Sequence, residues 1–153
     1  MKDLFFEDFA VGQQFRTRGA TLSEAQILDF AFQYDPQPFH LDKNAAEESI
    51  YGGLIASGFQ TLLFAFRLWL AEGIINKASM GSPGIDALRW LTPVRPGDTL
   101  QLQAEVVETR ASASKPDVGF TTIDYTVFNQ DQVAAMTFRA THILLKRRRS
   151  END

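Results

Sequence analysis

The sequence predicts an α+β fold, in which a curved antiparallel sheet of about five strands is wrapped around one long, central apolar helix. Between about residues 21 and 75 the apolar residues recur with helical spacing, whereas the second half of the chain alternates apolar and polar residues with a period of two. One strand, then helices, then four consecutive strands is an α+β order. This order predicts that neighbouring strands in the second half pair with each other.

The segment before the long helix predicts two short helices. Either Thr21 or Ser23 caps the first, because a side-chain hydroxyl there accepts a hydrogen bond from an amide of the first turn. Asp42 is positioned to cap the second, which covers residues 43–49. Both helices therefore have polar start signals of the expected kind.

The longest helix is predicted over residues 57–71 and ends near Gly73, a residue type that commonly terminates helices. Its apolar side chains point in almost every direction around the helix axis. A helix that is apolar on all sides must be surrounded by other parts of the protein. The apolar residues of this segment are Phe59, Leu62, Leu63, Phe64, Phe66, Leu68, Trp69 and Leu70.

Five strands are predicted from the alternation and from the turns that separate them. Residues 96–98, Pro-Gly-Asp, suit a turn with proline at its second position, and residues 129–132 suit a hairpin loop. The predicted strands cover residues 14–20, 85–94, 100–106, 122–127 and 133–145. The most economical way to bury the apolar helix is to curve the sheet around it, which is the hot-dog fold.

Length and composition predict a single domain with its own core. The chain has 153 residues, of which 44% are apolar and 22% are charged, as in ordinary globular proteins. We predict one domain over residues 1–145, followed by a basic and polar tail over residues 146–153. The basic run 146–149 is expected to be a solvated end that caps the last strand, with a phosphate contact as the alternative.

Charge and cysteine content disfavour several classes of function. A net charge of −4 without a basic stripe argues against a nucleic-acid partner. The absence of cysteine excludes disulfides and thiolate catalysis. The longest apolar segment contains Arg67 and Glu72, so no membrane partner is expected. Acidic residues replace the apolar stretch of an export signal at the N-terminus, and we expect a cytoplasmic protein.

The densest functional signal is residues 34–42, Tyr-Asp-Pro-Gln-Pro-Phe-His-Leu-Asp. Two prolines stop the preceding helix and predict a rigid extended loop. That loop holds Asp35 and His40 five positions apart, where a carboxylate and an imidazole can share one water and exchange protons near neutral pH. In the alternative interpretation, Asp35 only terminates the helix and His40 is a buried structural side chain.

A second signal is residues 52–59, Gly-Gly-Leu-Ile-Ala-Ser-Gly-Phe, at the start of the long helix. The first amides of a helix have no internal acceptor and lie at its positive dipole end. They can donate to a carbonyl oxygen that becomes negative during a reaction, as in an oxyanion hole. Gly58 is the candidate donor; alternatively, its lack of a side chain only permits close packing of helix and sheet.

Other polar residues carry weaker signals. His142 lies within a predicted strand, which favours a structural role. The acidic residues near the proline-rich loop lack metal-ligand spacing and have one histidine nearby, so no metal site is expected. The sequence contains no phosphate loop, dinucleotide fingerprint or nucleophile elbow.

Residues 35–40 and 52–58 together resemble the MaoC-like acyl dehydratases, which include the (R)-specific enoyl-CoA hydratases. Residues 92–100, Thr-Pro-Val-Arg-Pro-Gly-Asp-Thr-Leu, resemble the strand-turn-strand of that family, and the likeness spans about residues 22–145. The hydratase motif of the family is Asp, any residue, Asn, Pro, an aliphatic residue and His.

Three positions of that motif match and two differ. Asp35, Pro38 and His40 match, whereas Gln37 replaces the asparagine and Phe39 replaces the aliphatic residue. The acid–base pair is therefore retained, while the shape of the pocket and the type of acyl chain are left open.

The resemblance implies hydration of a 2-enoyl-CoA to a 3-hydroxyacyl-CoA, or the reverse. It implies that Asp35 and His40 are the catalytic pair and that the backbone N–H of Gly58 is the oxyanion donor. The candidate substrate-binding residues are Ser57, Phe39 and Arg95. No metal is implied, and no cofactor beyond the CoA that the substrate carries.

The resemblance also implies a homodimer with the acyl tunnel near its interface, because hot-dog domains commonly pair their sheets edge to edge. Arg95 or the run 146–149 are candidates to meet the phosphates of CoA. Two other functions are left open. A hot-dog acyl-CoA thioesterase would use the same helix end and acid without needing His40. A non-catalytic acyl-CoA-binding subunit would keep the fold, but the intact acid–base pair argues against it.

Overall fold

The structure is a computed structural model that describes residues 3–148. Its strands are β1 (Gln14–Arg16), β2 (Ala20–Thr21), β3 (Ile85–Trp90), β4 (Thr99–Ala111), β5 (Val118–Phe128) and β6 (Ala134–Leu145). Its helices are α1 (Glu24–Tyr34), α2 (Pro38–Leu41), α3 (Lys43–Glu48) and α4 (Gly58–Ala71), preceded by one 3-10 turn, Phe6–Asp8. The strands form one antiparallel sheet in the order β1-β4-β5-β6-β3, and β2 also pairs with β4.

The predicted α+β hot-dog architecture is confirmed. The three long strands β4, β5 and β6 are neighbours, and in β5 every second residue from Gly119 to Val127 is buried. This buried face packs against α4 and joins it in one apolar core that includes Leu102, Ile123 and Trp69. Because burial of each large apolar side chain contributes about 1.5–3 kcal/mol, the contact between sheet and helix stabilises the curved sheet.

Two of the predicted helix starts are confirmed. Ser23, rather than Thr21, caps α1: its hydroxyl accepts from the amide of Gln26 at 3.2 Å, and the Gln26 side chain accepts from the Ser23 amide at 2.9 Å. Thr21 lies in β2 instead. The Asp42 carboxylate accepts from two amides in the first turn of α3, at 2.9 and 3.1 Å. Local polar signals therefore determined where α1 and α3 begin.

The single strand predicted ahead of α1 is wrong, because the segment forms the two short strands β1 and β2. Arg16 in β1 pairs with Gln103, whereas Ala20 in β2 pairs with Leu100, so the register on β4 shifts by one residue between them. An extra residue of this kind interrupts a ladder and bends the strand. The hydroxyl of Thr17 accepts from a β4 amide at 3.0 Å and keeps the interrupted segment on the sheet.

Strand β3 ends at Trp90, four residues earlier than predicted. The amides of Leu91 and Thr92 both point to the carbonyl oxygen of Ala135, at 2.8 and 3.3 Å. Pro93 follows and has no N–H with which to continue a ladder. The chain therefore leaves the sheet directly after Trp90, close to the start of α4.

Helix α4 is covered on one side only. Ala65 and Trp69 are buried against the sheet, but Phe59, Leu63 and Phe66 are 60%, 56% and 46% exposed. The prediction that the whole helix is surrounded is therefore wrong for a single chain, because the sheet curves around only one side. α4 has 14 residues, and within residues 3–148 none of the helices has both the length and the apolarity of a membrane span.

The last described residues lie against the N-terminal segment. Arg147 forms an ion pair with Asp8 and lies over the ring of Phe5, and Lys146 lies over the ring of Phe6. Cations stack favourably on aromatic faces. These contacts therefore hold the residues that follow β6 against the N-terminal segment. The tail predicted to be solvated thus begins with two anchored residues, while residues 149–153 lie outside the described part of the chain.

Candidate active site

The segment after α1 brings the predicted acid and histidine together. Asp35 directly follows the helix, and Pro36 prevents its continuation. The extended loop predicted through residue 40 is wrong beyond Gln37, because Pro38 begins the one-turn helix α2 and His40 is its third residue. Proline is well suited to the first position of a helix, since its φ is already helical and it has no amide to satisfy. The chain therefore turns back so that residues 35 and 40 meet.

The side chains of Asp35 and His40 face each other. Oδ2 of Asp35 lies 3.3 Å from Nε2 of His40, and Nδ1 of His40 lies 2.8 Å from the backbone oxygen of Ile55. A carbonyl oxygen can only accept, so Nδ1 carries a proton and donates it to this bond. Nε2 is left to exchange a proton with Asp35 or with a bound water. The backbone of Ile55 thus fixes which nitrogen of His40 takes part in proton transfer.

The carboxylate of Asp35 is held by neutral donors as well as by His40. Gln37 Nε2 donates to Oδ1 at 2.7 Å, and Ser57 Oγ donates to Oδ2 at 2.7 Å. Burial by itself raises the pKa of Asp35, but the two hydrogen bonds and the positive charge of a protonated His40 outweigh it and lower the pKa below its usual value. Asp35 is therefore ionised at neutral pH.

The start of α4 lies beside this pair. Ser57 is the N-cap residue, yet its hydroxyl makes no capping bond because it donates to Asp35. Within residues 3–148, no acceptor bonds the backbone N–H of Gly58. An amide without a partner at the positive end of a helix can donate to a ligand oxygen. The sequence interpretation of Gly58 as an oxyanion donor is thus compatible with its surroundings.

The alternative interpretation of Gly58, close packing, also has a contact that supports it. The indole of Trp90 lies on the Cα of Gly58, and a Cβ at residue 58 would overlap its ring atoms. Trp90 Nε1 donates to the carbonyl oxygen of Gly58 at 2.9 Å. A side chain at residue 58 would therefore displace the indole, whether or not the amide of Gly58 takes part in chemistry.

One cavity of about 340 Å³ collects these groups. Asp35 and His40 lie on one side of it, Gly58 and Trp90 on another, and it is open to solvent. Phe39 also lines the cavity, with its ring centroid 4.6 Å from that of His40. The acid, the imidazole and the end of α4 therefore face one shared space. We name it the catalytic cavity.

Arg95 does not line the catalytic cavity. Its guanidinium donates to the carbonyl oxygen of Tyr51 at 2.5 Å and lies close to Gly53. In this chain it holds the loop that leads to α4. A contact of Arg95 with the phosphates of CoA stays a prediction, and it would have to be made at the edge of this loop.

His142 occupies a different environment, and its predicted structural role agrees with its contacts. Its Nε2 lies 2.6 Å from the hydroxyl of Tyr125, in the core between β5 and β6. Burial lowers the pKa of His142 to about 4, so it is neutral at physiological pH. Among residues 3–148, no three His, Asp or Glu side chains are close enough to hold a metal ion. The expectation that the protein needs no metal stays a prediction.

Two parts of the site have no clear signal in the sequence. The carbonyl of Ile55 orients His40 through the backbone, which carries no residue-type signature. Trp90 lies 32 positions from Gly58, and only the tertiary packing brings the two together. The sequence showed Gln37 as a departure from the family motif, but the structure shows its hydrogen bond to Asp35.

Comparisons with known proteins identify the family of this chain. Residues 7–127 match the family model described as the MaoC like domain. The protein YdeM of Bacillus subtilis (strain 168) is 30% identical over 141 residues, covering 92% of this chain and 98% of the relative.

Two solved structures share the fold. The MaoC-like dehydratase of Rhodospirillum rubrum superimposes with a TM-score of 0.85 at 36% identity, covering 95% of this chain and 99% of the other. The (R)-hydratase of A. caviae involved in PHA biosynthesis has a TM-score of 0.70 at 25% identity, covering 89% and 97%. Family and neighbours together support a hydratase or dehydratase activity in general. By these matches the chain belongs to the MaoC-like dehydratase family.

Proposed function

We propose that the protein adds water to a 2-enoyl-CoA to give a 3-hydroxyacyl-CoA, or catalyses the reverse dehydration, in the cytoplasm. The observation that carries the proposal is the Asp35–His40 pair, separated by 3.3 Å, in the same cavity as Gly58, whose amide bonds no acceptor within residues 3–148. An acid–base pair and an amide donor are what addition of water to a conjugated thioester requires. The hydratase and dehydratase names of its relatives support the same reaction.

The reaction can be written with these groups. The thioester carbonyl oxygen accepts a hydrogen bond from the N–H of Gly58, which stabilises the negative charge that develops there when C3 is attacked. Asp35 and His40 orient one water and remove one proton from it as its oxygen bonds to C3. The pair then returns one proton to C2, so it ends with the protons it began with. Asp35 and His40 therefore act as one proton-exchanging pair during turnover.

The expected contributions are sufficient for catalysis. General acid–base catalysis contributes about 10²–10⁴-fold, and one oxyanion donor contributes about 10²–10³-fold. Together these lower the barrier by roughly 5–10 kcal/mol. Water addition neither oxidises nor reduces the substrate, so the proposal needs no metal and no cofactor other than the CoA of the substrate.

The test follows the loss of enoyl-thioester absorbance with crotonyl-CoA and with longer or branched analogues. We expect Asp35→Asn and His40→Ala each to lower kcat/KM by about 10²–10⁴-fold. Asp29→Asn is the matched control, because Asp29 is an exposed acid on α1 outside the catalytic cavity. Unchanged rates in both site variants would show that this pair does not perform the reaction.

The same samples separate the alternatives. Release of free thiol from a saturated acyl-CoA, detected with a chromogenic disulfide, would replace the hydratase proposal with a thioesterase. Tight binding of acyl-CoA with no turnover of any thioester would indicate a non-catalytic binding subunit. The contact between His40 and Asp35 favours the hydratase, because a thioesterase does not need the imidazole.

We also propose that two copies of the chain form a homodimer through β3 and the exposed side of α4. β3 is the edge strand beside β6, and its outer side has no partner strand within residues 3–148. Large apolar residues cluster around this edge and are exposed: Phe59, Leu63, Phe66, Ile85, Trp90 and Leu91. An unpaired edge with a contiguous apolar surface is typical of an interface with a second copy.

The oligomeric state tests the dimer. We expect the wild-type protein to sediment as a dimer, and Phe66→Glu to sediment as a monomer because the charge would be buried in the interface. Phe32→Glu is the control, since Phe32 is the same residue type and is also exposed, at 76% against 46% for Phe66, but lies on α1. A monomeric wild type would refute the dimer.

A further inference from the structure

A second cavity, of about 310 Å³, lies next to the catalytic cavity. Both are bounded by α4, by β3 and by β6. On β3 the catalytic cavity contacts Trp90 and the second cavity contacts Ile85, and on β6 the corresponding residues are Ala135 and Ala140. β3 and β6 are antiparallel, and Ile85 is paired with Ala140. The step from Trp90 to Ile85 on β3 and the step from Ala135 to Ala140 on β6 therefore run in the same direction along the sheet.

Helix α4 shows the same order. Gly58 and Phe59, in its first turn, line the catalytic cavity, and Leu63 and Phe66, one to two turns later, line the second cavity. The two cavities are therefore consecutive along one seam between the helix and the sheet edge. No lining residue is common to them.

Trp90 and Phe59 line the catalytic cavity on β3 and α4, two elements that continue from it to the second cavity. The indole is fixed by its hydrogen bond from Nε1 to Gly58 O at 2.9 Å and by its contact with the Cα of that glycine. The ring of Phe59 packs on it edge to face, with centroids 5.7 Å apart. These contacts hold the two rings together between α4 and β3. We name this pair of rings the aromatic wall.

The second cavity is suited to hydrocarbon. Leu62, Trp69 and Phe138 contribute apolar walls to it. Three polar side chains also line it, and each has a partner. Tyr125 and His142 are bonded to each other at 2.6 Å, and both are buried. Ser82 donates to the backbone oxygen of Gly84 at 3.0 Å. A cavity of this kind holds water poorly and accepts methylene groups. We name it the apolar cavity.

We propose that the indole of Trp90 sets the acyl-chain length that the protein accepts, by closing the catalytic cavity against the apolar cavity. The inference rests on the proposed function in one respect, that the ligand is an acyl thioester. With the indole in place, the acyl group must end within the catalytic cavity, so short acyl-CoA is the preferred class. Without it, a longer chain continues along the seam into the apolar cavity.

The test measures binding of butyryl-CoA and decanoyl-CoA by calorimetry. We expect Trp90→Ala to strengthen decanoyl-CoA binding relative to butyryl-CoA by at least about tenfold, because several methylene groups become buried. Trp90→Phe retains a ring at the boundary and should change that ratio by less than about threefold. Phe32→Ala removes an exposed aromatic side chain that lines neither cavity and is the control. An unchanged ratio in Trp90→Ala overturns the inference.

A second variant tests the wall while Trp90 is in place. Ala140→Leu adds bulk to the apolar cavity. In the wild-type background it should leave decanoyl-CoA binding within about twofold, and in Trp90→Ala it should remove the gain. A tenfold loss in the wild-type background overturns the inference, because the chain would already occupy the apolar cavity.

The readout is independent of turnover. If wild type does not hydrate crotonyl-CoA but the binding ratios change as expected, the proposed function fails and the chain-length inference stands. If neither wild type nor Trp90→Ala binds either acyl-CoA, the chain-length inference fails.

Discussion

The two histidines of the chain have the same burial and different chemistry. His40 and His142 are each 5% exposed. His40 faces the carboxylate of Asp35, which is held as an anion by Gln37 and Ser57. Within residues 3–148, the hydrogen-bond partner of the His142 side chain is the neutral hydroxyl of Tyr125.

This difference shows that the partner, and not burial, decides what a buried imidazole can do. Burial lowers the pKa of His142 to about 4, and within residues 3–148 its ring bonds a neutral hydroxyl and no anion. At His40 a carboxylate oxygen lies 3.3 Å from Nε2, so a proton has a partner with which to exchange. His142 therefore contributes to the core as a neutral ring, whereas His40 is placed for proton transfer.

The largest effect is expected on kcat/KM, when Asp35 and His40 are both replaced. Combining Asp35→Asn with His40→Ala should lower kcat/KM on crotonyl-CoA by about 10²–10⁴-fold, no more than about fivefold beyond the worse single variant. The reason is that each group works only through the other, so removing the second costs little. Steady-state kinetics on the four proteins of the cycle measure this coupling. Losses that multiply would mean that the two side chains act independently.

The next effect concerns His142 and the free energy of unfolding. Because its folded pKa is about 4 against an ordinary 6.5, the unfolded chain binds a proton first as the pH falls from 6.5 to 4. Stability is thus full above pH 6.5 and decreases below it. We expect His142 to contribute a loss of about 2 kcal/mol between pH 7 and pH 5.

Urea unfolding of wild type and His142→Gln at both pH values measures this loss. The variant is expected to be less stable at pH 7 but to lose about 2 kcal/mol less on acidification. An equal loss in the two proteins would show that protonation of His142 in the unfolded chain does not cause the loss of stability between pH 7 and pH 5.

The smallest effect concerns the donors that hold Asp35. Ser57→Ala removes one hydrogen bond that lowers the pKa of Asp35, so that pKa should rise. Activity that depends on the carboxylate is then lost at a higher pH on acidification. We expect kcat/KM at neutral pH to fall about tenfold, as for a hydrogen bond to a charged group, with the acid limb of its pH profile displaced upward.

Ser49→Ala is the matched control, because the Ser49 hydroxyl donates to a carbonyl of α3 outside the catalytic cavity. Its pH profile should coincide with that of the wild type. An acid limb that does not move in Ser57→Ala would separate Asp35 from the activity.

Much of the fold could be predicted because it depends on local patterns. Alternation with period two determined the long strands, and Ser23 and Asp42 determined the starts of two helices. The errors occurred where a distant contact overrides the pattern. The first strand is divided because its register on β4 shifts, and β3 ends where two amides converge on Ala135. Neither feature is a property of the local sequence.

The candidate site divides in the same way. The residues of the acid–base pair and the glycine before the long helix could be singled out from spacing and from the resemblance to a family. That Pro38 begins a helix rather than an extended loop could not, because proline permits both and the surrounding packing selects one. The roles of Gln37 and Ser57 as donors to Asp35 depend on distances of 2.7 Å that no residue spacing encodes.

By itself, the sequence determined the α+β class, the apolar helix and the residues available for acid–base chemistry, since periodicity and residue type are local properties. Only the tertiary structure decided that Ile55 orients His40, that Trp90 packs on Gly58, and that one side of α4 is left exposed. Each of these depends on groups far apart in the chain, which become neighbours when the sheet curves around the helix.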